Sequence, residues 1–575
     1  MSYRWRFHPD HAPLQEAIAR SARLSALGAR LLVNRGIRSP TEAEEFLRPG
    51  LSSLSDPFTM SHMERAVERV LAALRSREPI VVYGDSDADG VSGTALLTGF
   101  LRAVGANVSS YIPNRLEEGY SLTERGIAAI RAREARLVIT VDNGTSATGA
   151  IDELATSGID VIVCDHHEPP PNPPTPLALL NPKWDGCGYP FPYLCGTAVA
   201  FQLLNGLASR LPARNRNRDA MLGLLRHSIS FVAIATICDC VPLVGENRAL
   251  ARGGLAALQA TEHPGLSALL RVASVPKEVQ SDDISFRLGP RINAAGRLGQ
   301  ADRALALLLA DERDEARALA RELDDQNAER QQLEADITRS ARRKVEESFD
   351  ARDPVIVLAD DEWHSGVVGI VAARLAGEFD RPSVLVAMNG ERGRGSGRSA
   401  RGFDLYSALH DCSEHLVGFG GHAFAAGLEI ERRRFPAFRE ALLERARRGF
   451  DETRERELLI DAEVPLGVLN PSLMHELGRL APFGEGHANP VFAAPDLRVD
   501  GAPRVVGKNR SHLSFAVQQG GVRRKAIGYG LAHHAERVSA GTPFAVAFTP
   551  RLNLFRGQAD VELDVKDFRF AEDRA

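Results

Sequence analysis

The sequence predicts an α/β protein with two α/β lobes joined by a long helix, followed by a small all-β module. Three observations carry that prediction. Short apolar runs alternate with helical stretches from Pro79 to Cys164, and the pattern resumes at Val355. Residues 300–348 are highly charged, periodic in leucine and free of Gly and Pro. Residues 459–570 break into short alternating runs with turn residues between them.

Residues 1–78 read as helical and polar, with apolar spacing at Leu24, Leu27, Leu31 and Leu32. Ser39-Pro40-Thr41-Glu42 is a helix-start signal, with Pro at the first helical position. The first lobe then reads strand Ile80–Tyr83, helix Gly93–Val104, strand Val108–Ile112, helix Thr123–Arg133, strand Leu137–Val141, helix Ala147–Ser157 and strand Val161–Cys164. Alternation of this kind implies βαβ units and a parallel sheet, and such sheets bind ligands beyond the carboxyl ends of their strands. Six prolines within residues 169–176 make a stiff connector. The apolar run Phe231–Ile237 ends at Asp239 and is grouped with the strand ends.

The charged run, with Leu305, Leu308, Leu309, Leu319, Leu323, Leu333 and Ile337, reads as one long helix or two bridging the lobes. Its seam is too irregular for a coiled coil. Val355–Leu358 opens the second lobe, with helix Gly366–Ala376, strand Ser383–Met388 and a Gly/Arg-rich loop over Gly390–Arg401. The terminal runs, Phe544–Thr549 and Val561–Val565 among them, suggest a five-stranded barrel. The expected boundaries are 1–78, an N-terminal helical extension; 79–299, the first lobe; 300–350, the connecting helix; 351–455, the second lobe; and 456–575, the barrel.

Composition narrows the function. Seventy Lys and Arg against 75 Asp and Glu give a net charge of −5. That excludes a polybasic binder holding phosphate by bulk charge, though not an enzyme with local basic patches. Six cysteines in 575 residues form no disulfide framework, and Cys238 and Cys240 lack the spacing of a zinc or redox pair. They read as free thiols in a reducing compartment. The start, MSYRWRFHPD, has no apolar signal core, and no run approaches the ~18 apolar residues of a membrane span. A soluble cytoplasmic protein with no membrane partner is expected.

Acids close the predicted strands. Asp85, Asp87 and Asp89 follow the first, Asp142 the third, and Asp165-His166-His167 the fourth, with Asp239 after the later apolar run. Carboxylates converging at strand ends repel one another unless a cation lies between them. Carboxylates with imidazole suit Mn²⁺ or Mg²⁺, and there are ligands enough for two ions, which together activate water and stabilise a leaving oxygen in phosphoryl transfer. The Asp-x-Asp-x-Asp-Gly run also opens like a calcium loop, but Leu96 stands where that loop needs Glu, and a strand precedes it.

These residues resemble the DHH phosphoesterase superfamily. Asp165-His166-His167 is its namesake triplet, Asp85–Gly90 its first motif, and Gly420–Gly427 the glycine-rich motif of the DHH-associated domain. Within the superfamily the chain is similar to the RecJ family of single-stranded-DNA-specific exonucleases, through Pro290–Arg297, Trp363–Ala372, Gly397–Ser399, Phe403–Leu405 and Pro482–Gly486. Ser86 stands where Tyr is commoner, and Cys238 and Cys240 flank Asp239 in place of small aliphatic residues. Neither change removes an expected ligand; both thiols would lie near the metals.

The resemblance implies a parallel-sheet DHH domain, a DHH-associated domain and an OB-like nucleic-acid-binding barrel. It implies a metal-dependent 5′→3′ exodeoxyribonuclease that releases mononucleotides in DNA repair and recombination. Asp89, Asp142, His166 and Asp239 would hold one Mn²⁺ or Mg²⁺; Asp87 and bridging Asp142, helped by Asp85, would hold the second. His167 would touch the scissile phosphate or orient His166. A single-strand-binding protein and a helicase are the implied partners.

Substrate contacts need local positive charge, and Arg392, Arg394, Arg398 and Arg401 cluster in one segment. Arginine forks suit a terminal phosphate. The candidates are Arg115, Arg291, Ser396 and Arg398, with Arg297 ranked behind Arg291, and Gly420, Gly421 and His422 as backbone and imidazole donors. Lys508, Arg510, Arg523, Arg524, Lys525, Arg551, Phe555 and Arg556 are candidates for holding single strand on the barrel. Two rivals stand: a DHH-type oligoribonuclease or cyclic-dinucleotide phosphodiesterase, which would lack the C-terminal module, and an inactive replication scaffold, which would have lost ligands that are all present here.

Overall fold

The computed structural model describes residues 3–574 except 211–215, 349, 351, 452, 508, 556 and 557. The chain folds into two units. One comprises Leu51–Val241 with Ala249–Arg454, the other Met1–Gly50 with Pro242–Arg248 and Glu455–Ala575.

In the larger unit, the first sheet has five strands in the order Val108–Tyr111, Ile80–Gly84, Leu137–Val141, Asp160–Cys164 and Ala178–Leu180. All are parallel. Ile80–Gly84 and Leu137–Val141 are buried throughout, as strands covered on both faces must be. Gly84, Val141 and Cys164 lie side by side in the ladder. The next residue of each strand is therefore an acid at one sheet edge: Asp85, Asp142 and Asp165.

Two expectations need correction. Phe231–Ile237 is not a strand; it is the last part of a helix, Arg216–Cys238. A short apolar run buried all round carries no period that separates strand from helix. The Gly390–Arg401 segment is not a loop either. Arg392–Arg398 is the middle strand of a five-stranded sheet ordered Gly418–His422, Ala425–Glu431, Arg392–Arg398, Ser383–Asn389 and Ile356–Asp360. Arginine or serine stands at every second position, and the glycines between them face the core. A Cβ at Gly393 would come within 2.7 Å of Met388 and Val386, and one at Gly397 within 2.7 Å of Leu405. The strand period of two is present, but glycine hides its apolar half.

The connector is two helices, Ala301–Leu309 and Arg313–Ser348. At 36 residues the second is about 54 Å long. Its Ile337 and Ala341 pack against Val368, Val371 and Leu375 of the second lobe.

The smaller unit holds the barrel. Strands Phe492–Val499, Phe544–Phe555, Gln558–Phe570, Val522–Gly528 and His512–Gln519 pair in that order, and pairing of Arg498 with Gln518 and Val499 with Val517 closes the ring. Phe492, Phe515, Phe544, Phe548 and Phe568 fill it. The first residues of the chain join this unit: Arg4–Phe7 pairs in parallel with Glu457–Ile460, and Trp5 Nε1 donates to Asp567 at 2.8 Å. Ile18, Leu31 and Leu32 enter the same core.

Arg248 is almost fully buried here, donating to the carbonyls of Phe46, Leu480, Ala481 and Pro482. Beside it His487, 1% exposed, stacks on Phe483. Burial, with Arg248 and Arg35 nearby, holds His487 down to about 3 from its usual 6.5. Above pH 6.5 the ring is neutral whether folded or unfolded. Below that the unfolded chain takes a proton that the fold refuses, so stability falls as the pH drops from 6.5 towards 3. The expected loss is about 2 kcal/mol by pH 5. Thermal melts at pH 7 and pH 5 check this: His487→Gln should flatten the pH dependence of this unit, and an unchanged dependence would refute it.

Candidate metal centre

Asp85, 3% exposed, leaves the strand Ile80–Gly84, and Arg115 Nη1 stands 3.8 Å from its Oδ2. Burial and neighbouring Asp87 push its carboxyl up to about 6, against the pull of Arg115. Asp87 caps the helix Ala88–Ala103, accepting from Asp89 N and Gly90 N at 3.0 and 3.2 Å. Asp89, 1% exposed, accepts from Gly196 N and Thr197 N at 2.7 and 2.8 Å. Those donors open the helix Gly196–Arg210, so its N-terminal dipole supports the carboxylate.

Asp142 lies in the left-handed region at φ 62°. Gly196 allows the close approach behind it, because a Cβ there would stand 2.8 Å from Asp142 Cα. His166 Nε2 is 3.1 Å from Asp142 Oδ1, 3.5 Å from Asp239 Oδ2 and 3.8 Å from Asp89 Oδ2. Burial, then Asp89, Asp87 and Asp239, drives the Asp142 carboxyl well above the carboxylate range. Burial with Asp89 and Asp87 takes Asp239 up to about 9. These are acids in need of a cation.

Asp165 has a different task. It accepts from His166 N, His167 N and Thr145 N at 2.7, 3.2 and 2.9 Å, and from His167 Nδ1 at 2.7 Å. Burial would raise it, but the hydrogen bond and charge of His167, with His166 and the Thr145 N–H, together outweigh burial and hold it below the usual range. Burial would lower His167, but the hydrogen bond and charge of Asp165, with Asp239 and Asp87, together raise it to about 9. Its Nε2 is 3.2 Å from the Tyr120 hydroxyl.

Three ligand groups have their atoms within 4.8 Å of one another: Asp89, His166 and Asp239; Asp85, Asp87 and Asp142; and Asp142, Asp165, His166 and His167. An oxygen-rich set with one imidazole fits Mn²⁺ or Mg²⁺. Every acid and imidazole expected from the sequence is in this cluster. Asp239 reaches it from the end of a helix rather than a strand.

The basic candidates divide. Arg291 is committed elsewhere, paired with Asp324 at 2.7 Å and donating to Arg287 O. Arg297, ranked second from sequence, is the one that faces the site. It donates to Gly366 O at 3.1 Å and is depressed to about 10 by burial, then by Arg115, Arg330 and Arg398, with Asp87 acting the other way. Arg394 donates to Leu116 O at 2.8 Å, joining the second lobe to the Arg115 loop. Arg398 Nη1 donates to Ser396 Oγ at 3.0 Å.

The antiparallel ladder sets the remaining candidates beside these. His422 pairs with Ala425, which pairs with Arg398; Gly420 pairs with Gly427, which pairs with Ser396. Gly421 sits between, at φ 132° and paired with Ala426. All three lie on an exposed edge strand. On the barrel, Arg523 pairs with Asp500, Arg551 with Asp564 at 2.7 Å, and Arg524 donates to Leu469 O. Arg510 and Lys525 are exposed. Lys508, Arg556 and the Phe555 side chain lie outside the described residues.

Sequence reasoning missed the backbone donors Gly196 and Thr197 and the Asn293 side chain, whose Oδ1 accepts from Ala88 N at 2.7 Å. The Gly-Thr pair ahead of an apolar helical run was the available signal for the former.

Three family models match the chain: the DHH family N-terminal domain over residues 79–235, the DHHA1 domain over 352–448 and the RecJ OB domain over 460–567. The single-stranded-DNA-specific exonuclease RecJ of Bacillus subtilis is 34% identical over 577 residues, covering 99% of this chain and 71% of the relative. That of Escherichia coli is 34% identical, covering 94% and 95%. The crystal structure of RecJ from Thermus thermophilus in complex with Mn²⁺ superposes with a TM-score of 0.82 at 32% identity, over 99% of this chain and 79% of that one. No helix among the described residues is long and apolar enough to cross a membrane. With domain models in this order and relatives at 34% identity that match nearly the whole of this chain, the chain belongs to the RecJ family of single-stranded-DNA-specific exonucleases.

Proposed function

We propose that the chain hydrolyses single-stranded DNA from its 5′ end, releasing mononucleotides, in DNA repair and recombination. The observation that carries this is the convergence of Asp85, Asp142 and His166 at adjacent strand ends with Asp87, Asp89 and Asp239. Asp89, Asp142, His166 and Asp239 would hold one divalent ion, and Asp85, Asp87 and Asp142 the other. Bound there, the ions supply activated water and positive charge for the leaving oxygen. His167, its ring fixed by Asp165 at 2.7 Å, is placed to contact the scissile phosphate. Arg115, Arg297 and Arg398 with Ser396 take the terminal phosphate, and Gly420, Gly421 and His422 extend that surface across the sheet.

The barrel supports a polymeric substrate, because a dinucleotide needs no second nucleic-acid-binding unit. A single-strand-binding protein and a helicase, in the cytoplasm, fit an enzyme that consumes exposed single strands. The work divides between a first lobe ending at 299, a connector to 350, a second lobe to 455 and a barrel unit that also takes in residues 1–50. The test compares a long 5′-phosphorylated single strand, its duplex and a dinucleotide, each with Mn²⁺. Stepwise loss of mononucleotides from the 5′ end of the single strand is expected; faster cleavage of the dinucleotide would overturn the reading.

A further inference from the structure

A cavity opens beside Glu168, the residue that follows the Asp165-His166-His167 turn. It has a volume of about 540 Å³, and its walls include Glu168, Lys183, Trp184, Asp185, Tyr189 and Tyr193. Its position follows from the fold. Asn181 leaves the edge strand Ala178–Leu180 of the parallel sheet, so this loop emerges on the same side as the acids. Asn181 is fully buried and donates to His167 O and Thr145 Oγ1, both at 2.9 Å, while accepting from Lys183 N. The loop is thus bolted to the Asp-His-His turn. Lys183 pairs at 3.0 Å with Glu168, the residue after His167, and its charge is felt at His166 and Asp239.

The walls are aromatic. Tyr193 is 47% exposed and meets Phe191 edge-on at 5.5 Å. Trp184 is half-buried against His62. One lysine against Glu168 and Asp185 makes this a poor place for a phosphate. It suits a flat, neutral ring with N–H donors at its edge, which carboxylates accept.

Lys183 on the cavity wall acts on His166 and Asp239, whereas Arg115 stands 3.8 Å from Asp85. A strand whose 5′ phosphate sits at Arg115, Arg297 and Arg398 crosses the acids before reaching the cavity. We propose that this cavity receives the nucleobase of the second nucleotide, the one immediately 3′ of the scissile bond, stacked on Tyr193. The assignment rests on the exonuclease reading above.

The test uses the full chain with Mn²⁺ and short 5′-phosphorylated strands that are intact or abasic at the first, second or third nucleotide. Loss of the second base should slow the wild-type chain most, about tenfold, the scale of one base–aromatic stack. Tyr193→Ala should slow cleavage of the intact strand by a similar factor and lose the penalty for the missing second base, while Tyr193→Phe should behave as wild type. A wild-type chain indifferent to the second base would overturn the assignment, as would Tyr193→Ala keeping the full penalty. A wild-type chain inert toward the intact strand would instead sink the exonuclease reading and the assignment with it.

Discussion

Replacing Asp89 by alanine should abolish turnover. Its two oxygens accept from Gly196 N and Thr197 N, and His166 stands 3.8 Å away. The carboxylate thus joins the metal-ligand group with His166 and Asp239 to the start of a buried helix. Outer-shell substitutions at metal sites cost about 10–100-fold, and loss of a direct ligand should exceed that. Alanine also leaves two buried N–H groups unpaired, a cost of about 1–3 kcal/mol each. Asp89→Asn separates the two effects, because the amide oxygen keeps an acceptor for one N–H group while removing the charge. Both variants should be inactive, with asparagine the more stable in a thermal melt. Activity retained by either at saturating Mn²⁺ would refute the ligand role.

The next largest effect should come from Arg398→Ala. Arg115, Arg297 and Arg398 bring like charges together, and Arg297 is depressed by burial and then by Arg115, Arg330 and Arg398. Arg398 itself is lowered by burial. Such a group is held in wait for an anion. Losing one charged hydrogen bond to a terminal phosphate costs about 1–3 kcal/mol, or roughly 5–150-fold in KM. The fold should not suffer, since the change relieves repulsion. The loss should be confined to strands with a 5′ phosphate and be small for 5′-hydroxyl strands; equal losses would reduce Arg398 to a general backbone contact.

These expectations show which features can be read from residues alone. Asp85, Asp142 and Asp165 were legible because a parallel sheet puts all its carboxyl ends on one side, and each acid directly follows an apolar strand. Asp239 was legible as an acid after an apolar run, but not as a helix end, since full burial erases the period. The Arg392–Arg398 strand was hidden by glycine, which packs against Met388, Val386 and Leu405 without contributing hydrophobicity to the pattern. Arg291 and Arg297 share one helix, Gly289–Arg297. Only the side facing the acids decides between them, and Asn293 marks it through its bond to Ala88 N. Arg297 is one turn further along that face. The partner of Arg4–Phe7 is Glu457–Ile460, a pairing that no local window reveals.

Turnover by the proposed route depends on a metal pair held by these acids and His166. Anomalous diffraction from crystals of the full chain grown with Mn²⁺ tests that most directly. Two peaks about 3.5–4 Å apart are expected. One should lie among Asp89, Asp142, His166 and Asp239, the other among Asp85, Asp87 and Asp142. A cluster without manganese at saturating concentration, or manganese bound only at other residues, would contradict it.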